Sequence, residues 1–88
     1  MLRITVTEGL ATTRIVKLEG RLVGQWIDEL RRTCDALLLG RVAPALDLTD
    51  VLFVEDAGLI ALRDLLARGA TIDRCSPFIA EQLRGGMS

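Results

Sequence analysis

The chain has 88 residues, half of them apolar and 26% charged, with 11 Lys and Arg against 12 Asp and Glu and no histidine. That bounds it to one small domain spanning residues 1–88, and sixteen Leu, six Ile and six Val supply a core without disulfide or metal staples. A net charge of −1 with interspersed signs, one Trp, two Phe and no Tyr leaves neither a basic stripe for phosphates nor a base-stacking platform, so no nucleic acid partner is expected.

Residues 2–7 (LRITVT) alternate apolar and polar at period two, and RIVKL at 14–18 is a second β-branched run. The intervening Glu8–Thr13, with Gly9, predicts a hairpin. Gly20 breaks the second strand. From Leu22 the apolar positions Val23, Ile27, Leu30, Cys34, Leu37 and Leu38 share one helical face, with Asp28–Arg32 and Arg31–Asp35 as opposite-sign pairs on the other. This helix ends near Gly40, in a position suited to a left-handed cap. Pro44 belongs to the connection, and ALDL followed by VLFV reads as a buried strand with a short extension.

Asp56 precedes LIALRDLLAR and is a candidate N-cap, with Gly69 as the stop. ATIDRC is a fourth strand. Ser76 and Pro77 open a last helix, PFIAEQLR, as N-cap and first helical residue. The Gly85–Ser88 tail reads as loose. The order β-β-α-β-α-β-α implies an α/β fold: a mixed four-stranded sheet packed with helices through right-handed crossovers.

Cys34 and Cys75 without histidine provide no four-ligand zinc set and no Cys-His or Ser-His nucleophile pair, so neither metal, cofactor nor catalytic group is expected. The charge-free stretches reach six residues, far short of the roughly 20 that span a bilayer, so no membrane insertion is expected. Charged residues run through the N-terminus, which argues against a secretory signal. The two cysteines read as reduced, buried thiols of a cytoplasmic protein. Ten arginines against one lysine mark no site, except that Arg21 and Arg63 flank the functional edge described next.

In open α/β sheets that edge is the carboxyl end of the strands, here DVLFVEDAGL at 50–59. Glu55 and Asp56 already occupy the approach to the helix N-terminus, which disfavours a free phosphate site. Trp26 lies beside the apolar face of the first helix, near the same end. Glu55 and Asp56 are adjacent on a turn and need not face one another, and nothing else in the chain supplies a nucleophile, so no acid-base catalysis is expected of them.

The run LDLTDVLFVEDAGLIAL resembles the core signature of the STAS domain family (sulphate transporter and anti-sigma factor antagonist), an apolar strand ending D-L-S, a V-x-F step, then D-S-S-G-L. Leu46, Asp47, Leu48, Thr49, Val51, Phe53, Gly58, Leu59 and Leu62 carry it, and VKLEGRL at 16–22 is similar to the family's L-x-G-x-L strand. The resemblance runs from Leu2 to Leu83. Aligned on Gly58, the family's acidic position falls on Glu55 and its phosphorylatable serine on Asp56, followed by Ala57. Asp56 would place a permanent charge of about one where phosphoserine carries roughly −1.5 to −2. Val23 stands where many members have an acidic residue.

The resemblance implies a stand-alone, non-enzymatic protein–protein interaction module of bacterial partner-switching transcription regulation. It would be similar to an anti-sigma factor antagonist and bind an anti-sigma factor or serine-kinase-like regulator. The partner-binding residues it points to are Glu55, Asp56, Ala57, Gly58 and Leu59 with Arg21, Val23, Trp26 and Arg63. The alternative it implies is a small accessory subunit of a lipid or anion transport complex. A homodimer through the LRITVT edge stays open, with Arg3 and the alternating threonines as guards.

Overall fold

The computed structural model describes residues 2–9 and 12–85. Two strands, β1 (Leu2–Glu8) and β2 (Thr13–Leu22), precede α1 (Gln25–Leu39), β3 (Ala43–Val54), α2 (Asp56–Ala67), β4 (Thr71–Cys75) and α3 (Pro77–Gly85). The order is the expected one. The sheet is mixed: β1 is antiparallel to β2, while β2, β3 and β4 are parallel, in spatial order β1-β2-β3-β4. Each crossover steps one strand in the same direction, so right-handed connections place α1 and α2 on one face. There Val16, Leu18, Leu22, Leu46 and Leu48 meet Leu30, Cys34, Ala61, Leu62, Leu65 and Ile79, all with no solvent exposure. Each buried large aliphatic contributes about 1.5–3 kcal/mol. The opposite face carries Thr5, Lys17, Glu19 and Asp47 together with Ile15 and Ala45, which line a shallow depression of about 430 Å³.

β3 holds the features that shape one end of the molecule. Its pairing with β2 jumps from Lys17↔Asp47 to Glu19↔Asp50, and again from Gly20↔Val51 to Arg21↔Phe53. Each jump inserts one extra residue in β3, so the core-facing positions become Leu46, Leu48, Val51 and Val54 rather than every second residue. At the first bulge the Thr49 N–H donates to Asp47 Oδ1 at 3.1 Å. Burial works to raise the Asp47 pKa, but the Thr49 hydrogen bonds and the Lys17 and Arg74 charges outweigh it and hold the carboxyl below its ordinary value. Gly20 does not break β2. It sits at the second bulge with φ 113°, a conformation only glycine adopts easily, and the strand continues to Leu22. Pro44 is likewise inside β3, not in the connection. The Ala43 N–H points toward β2, donating to Thr12 O at 2.8 Å, so the missing donor at Pro44 faces β4, whose pairing begins only at Ala45↔Thr71.

The helix ends show the same local logic. Gly69, with φ 116°, closes α2 as expected, and the Ala70 N–H returns to Leu65 O at 3.0 Å. At α1 the left-handed residue is Arg41, with φ 61°, rather than Gly40, whose φ is −82°. The Val42 N–H reaches Leu37 O at 2.8 Å and the Arg41 N–H reaches Leu38 O at 3.0 Å, which sets the cap one residue later. Ser76 Oγ accepts from the Ile79 N–H at 3.3 Å and Pro77 starts α3, both as expected. Arg31 and Asp35 do not pair within α1. They reach across to α2, Arg31 to Asp64 at 3.0 Å and Asp35 to Arg68 at 2.7 Å, while Arg32 takes Glu29 at 3.1 Å in place of Asp28. Gly85, expected in the loose tail, instead ends α3, and the tail residues 86–88 lie outside the described residues.

The two cysteines differ. Cys34 is buried on the α1 stripe, but Cys75 is only half-buried at the end of β4, against the expectation of two buried thiols. Burial first, then the Asp35 charge, pushes the Cys34 thiol from 9.0 up to about 11. Between these values the unfolded chain has lost a proton that the folded chain keeps, so stability falls as pH rises from 9.0 toward about 11. In native protein at mildly alkaline pH a disulfide reagent should titrate Cys75 and spare Cys34, with both reacting in denaturant. Equal native reactivity of the two would contradict the packing described.

Candidate functional site

The carboxyl ends of β2 and β3 and the amino ends of α1 and α2 meet at one end of the sheet. The closest approach is at Gly58, in the first turn of α2. A Cβ built there would lie 2.8 Å from Val54 Cγ1 and 3.1 Å from Leu22 O. Only hydrogen fits, and this lets α2 sit directly on the ends of both strands. The Glu55 N–H donates to Leu22 O at 3.3 Å and the Leu59 N–H to Glu55 O at 3.0 Å, so the turn is tied at both ends.

The N-cap of α2 is Glu55, with φ −77° and ψ 168°, and its side chain makes no cap hydrogen bond. The sequence assigned that role to Asp56. With the turn pinned through Glu55 and Gly58, Asp56 instead becomes the first helical residue, exposed at the positive end of the helix dipole. Ala57 is exposed beside it, whereas Gly58 and Leu59 are buried. Those two hold the turn in place, and the surface itself is made by Glu55, Asp56, Ala57 and Ile60.

Trp26 is half-buried against the core, in the turn where its N–H donates to Val23 O at 3.1 Å. Val23 is half-buried, and Arg21 is exposed opposite Phe53 on the polar sheet face. Arg63 is committed elsewhere. It donates to Gln82 O at 3.1 Å and to Leu83 O at 3.4 Å, clamping the last turn of α3 to α2. Charge-assisted bonds to otherwise orphaned helix carbonyls are worth about 1.5–3 kcal/mol. A shallow groove of about 300 Å³ lies along this helix, lined by Asp56, Leu59, Ile60 and Arg63.

Sequence reasoning missed the apolar residues around the turn. Leu52, Phe53, Ile60 and Phe78 are 71%, 45%, 60% and 57% exposed. Leu52 and Phe53 end β3, Ile60 lies one turn into α2, and Phe78 lies in the first turn of α3, which follows the carboxyl end of β4. Among the described residues, exposed Leu39 and Val6 lie elsewhere, at the far end of α1 and in mid-β1. VLFV reads as a buried strand because two bulges are invisible to a period-two pattern. Among the described residues no group of three or more His, Cys, Asp or Glu could hold a metal, and no helix is long and apolar enough to cross a membrane.

No protein-family model matches the chain, and no characterised protein matches it in sequence. Among solved structures it is similar to an anti-sigma factor antagonist from Mycobacterium paratuberculosis, at TM-score 0.76 and 16% identity over 97% of this chain and 79% of that one. It is also similar to Mglu, at TM-score 0.62 and 21% identity over 83% of this chain but only 19% of that one. The α/β fold expected from the STAS-like pattern is therefore the fold present: the same architecture as an anti-sigma factor antagonist, reached at low identity.

The Gly58 contact has a direct consequence. Gly58→Ala should cost about 1–3 kcal/mol, read from denaturant unfolding, because the methyl meets Val54 Cγ1 at 2.8 Å and the backbone Leu22 O at 3.1 Å, which outweighs the roughly 1 kcal/mol that alanine gains in a helix. Val54→Ala in the same chain relieves only the side-chain clash, so the double variant should be less destabilised than the sum of the singles. A neutral Gly58→Ala would mean that α2 does not sit this close.

Proposed function

We propose that the chain is a non-enzymatic protein–protein interaction module that docks a protein partner through the Glu55–Ala57 turn and the exposed start of α2. Its role would resemble that of an anti-sigma factor antagonist in partner switching. The observation that carries this reading is the acidic turn, rigidly seated by Gly58, with exposed Leu52, Phe53, Ile60 and Phe78 on the elements around it. Exposed aromatic and aliphatic side chains bordered by charged groups are the composition of a docking face. The architecture shared with an anti-sigma factor antagonist supports it.

Asp56 stands where the family pattern has a phosphorylatable serine, and its carboxylate needs no kinase to be charged. Docking would then be set by about one permanent charge in place of a switched −1.5 to −2. A partner with a Lys or Arg placed to meet Glu55 and Asp56, and apolar side chains around it, fits this end. Arg21 and Trp26 border it, Trp26 supporting the α1 start from its half-buried position.

The test is affinity capture from source-cell lysate with wild type, Asp56→Ser and Asp56→Lys, followed by binding measurements on the retained protein. Asp56→Lys should weaken the captured partner at least about tenfold through charge reversal at the contact. Asp56→Ser should retain part of the binding. Equal retention by all three, as a transport-complex subunit held through another face would give, contradicts the proposal.

A further inference from the structure

The sheet has an incomplete edge inside it. Pairing of β3 with β2 runs to Leu22↔Val54, but pairing with β4 stops at Leu48↔Cys75. Pro77 then opens α3, and the chain leaves the sheet. Among the described residues no strand covers the β4 side of 49–54. The Thr49 N–H is taken by Asp47, which leaves Asp50–Val54 as the free portion.

This edge differs from the other two. The outer edge of β1 carries exposed Arg3 and Glu8 beside Val6, and that of β4 carries exposed Asp73 and Arg74, charges of the kind that deter pairing. The free portion of β3 has neither Pro nor Lys, and Asp50 is held by Lys17 at 3.3 Å on the β2 side. Beside exposed Asp50, Leu52 and Phe53 are apolar, consecutive and exposed. The edge is therefore apolar where a strand laid beside it would make contact.

We infer that Asp50–Val54 is a β-augmentation site that accepts an extended segment of the partner. That segment would carry apolar side chains for Leu52 and Phe53 and a Lys or Arg at the end that meets Glu55 and Asp56. The inference rests on the docking proposal and specifies how the partner binds. Charge selects the occupant. Glu55 and Asp56 directly follow the edge, Lys17 is held on Asp50, and Arg63 is spent on α3 carbonyls. Pairing two copies along the same edge would bring Glu55 and Asp56 of both beside one short ladder, whereas a basic segment neutralises them.

The experiment pans a phage-displayed library of random peptides against the full chain and, in parallel, against Leu52→Lys/Phe53→Lys, whose exposed positions tolerate charge. Enriched peptides are synthesised and mapped by amide exchange and chemical-shift changes. Expected are alternating apolar sequences with a terminal basic residue and without internal proline. They should slow exchange at amides of Asp50–Val54 and bind the double-lysine variant at least about tenfold more weakly. Absence of enrichment, peptides that map to another surface, or peptides that bind the variant equally overturns the inference. Self-association that disappears in the double-lysine variant overturns the choice of occupant. Loss of the lysate partner from Asp56→Lys, with no peptide at the edge, rejects the augmentation and leaves docking standing. Retention of that partner rejects docking itself.

Discussion

A gap that admits only a hydrogen atom organises the end of the molecule where β2, β3 and α2 meet. Because Gly58 has no Cβ, α2 descends onto Leu22 O and Val54, and that approach sets how the helix sits on the paired ends of β2 and β3. The Glu55 N–H then finds Leu22 O, the turn needs no side-chain cap, and Asp56 is free to face outward. A bulkier residue at 58 would lift the helix and release all three. The charge on Asp56 and the position of Asp56 thus have separate origins, one in its own carboxylate and the other in the glycine two residues on.

The bulges in β3 make the second contribution. A regular strand from Ala43 to Val54 would turn Leu52 toward the core and leave Val51 outside. Two inserted residues reverse that, with Gly20 of β2 absorbing the distortion at φ 113° and Asp47 taking the N–H at Thr49. The strand therefore keeps a continuous buried row through Leu46, Leu48, Val51 and Val54 while its last turns present Leu52 and Phe53 to solvent. Bulges beside functional surfaces commonly re-aim side chains in this way.

Much of the architecture was legible in the sequence because it rests on periodicity and punctuation. The α1 stripe through Ile27, Leu30 and Cys34, the Gly69 stop and the Ser76-Pro77 start all appear where local rules place them. The departures are tertiary. Arg31 and Asp35 pair with α2 because α2 lies alongside, which no window of α1 records. Pro44 is tolerated in β3 only because its missing donor faces a neighbour that has not yet begun. At the site, the chain signalled the turn and its acids, but not the exposed apolar residues, which depend on bulges, nor the engagement of Arg63 with α3, which depends on a helix docked some twenty residues further along the chain.

We propose that this end of the sheet, and not its polar face, meets the partner. Amide exchange of the chain alone and in complex with the protein captured through Asp56 tests it most directly. Protection should concentrate in residues 50–60, with the exposed residues of β1 and the open face through Thr5 and Lys17 unchanged. Protection centred on the open face, with residues 50–60 exchanging as in the free chain, would contradict the account.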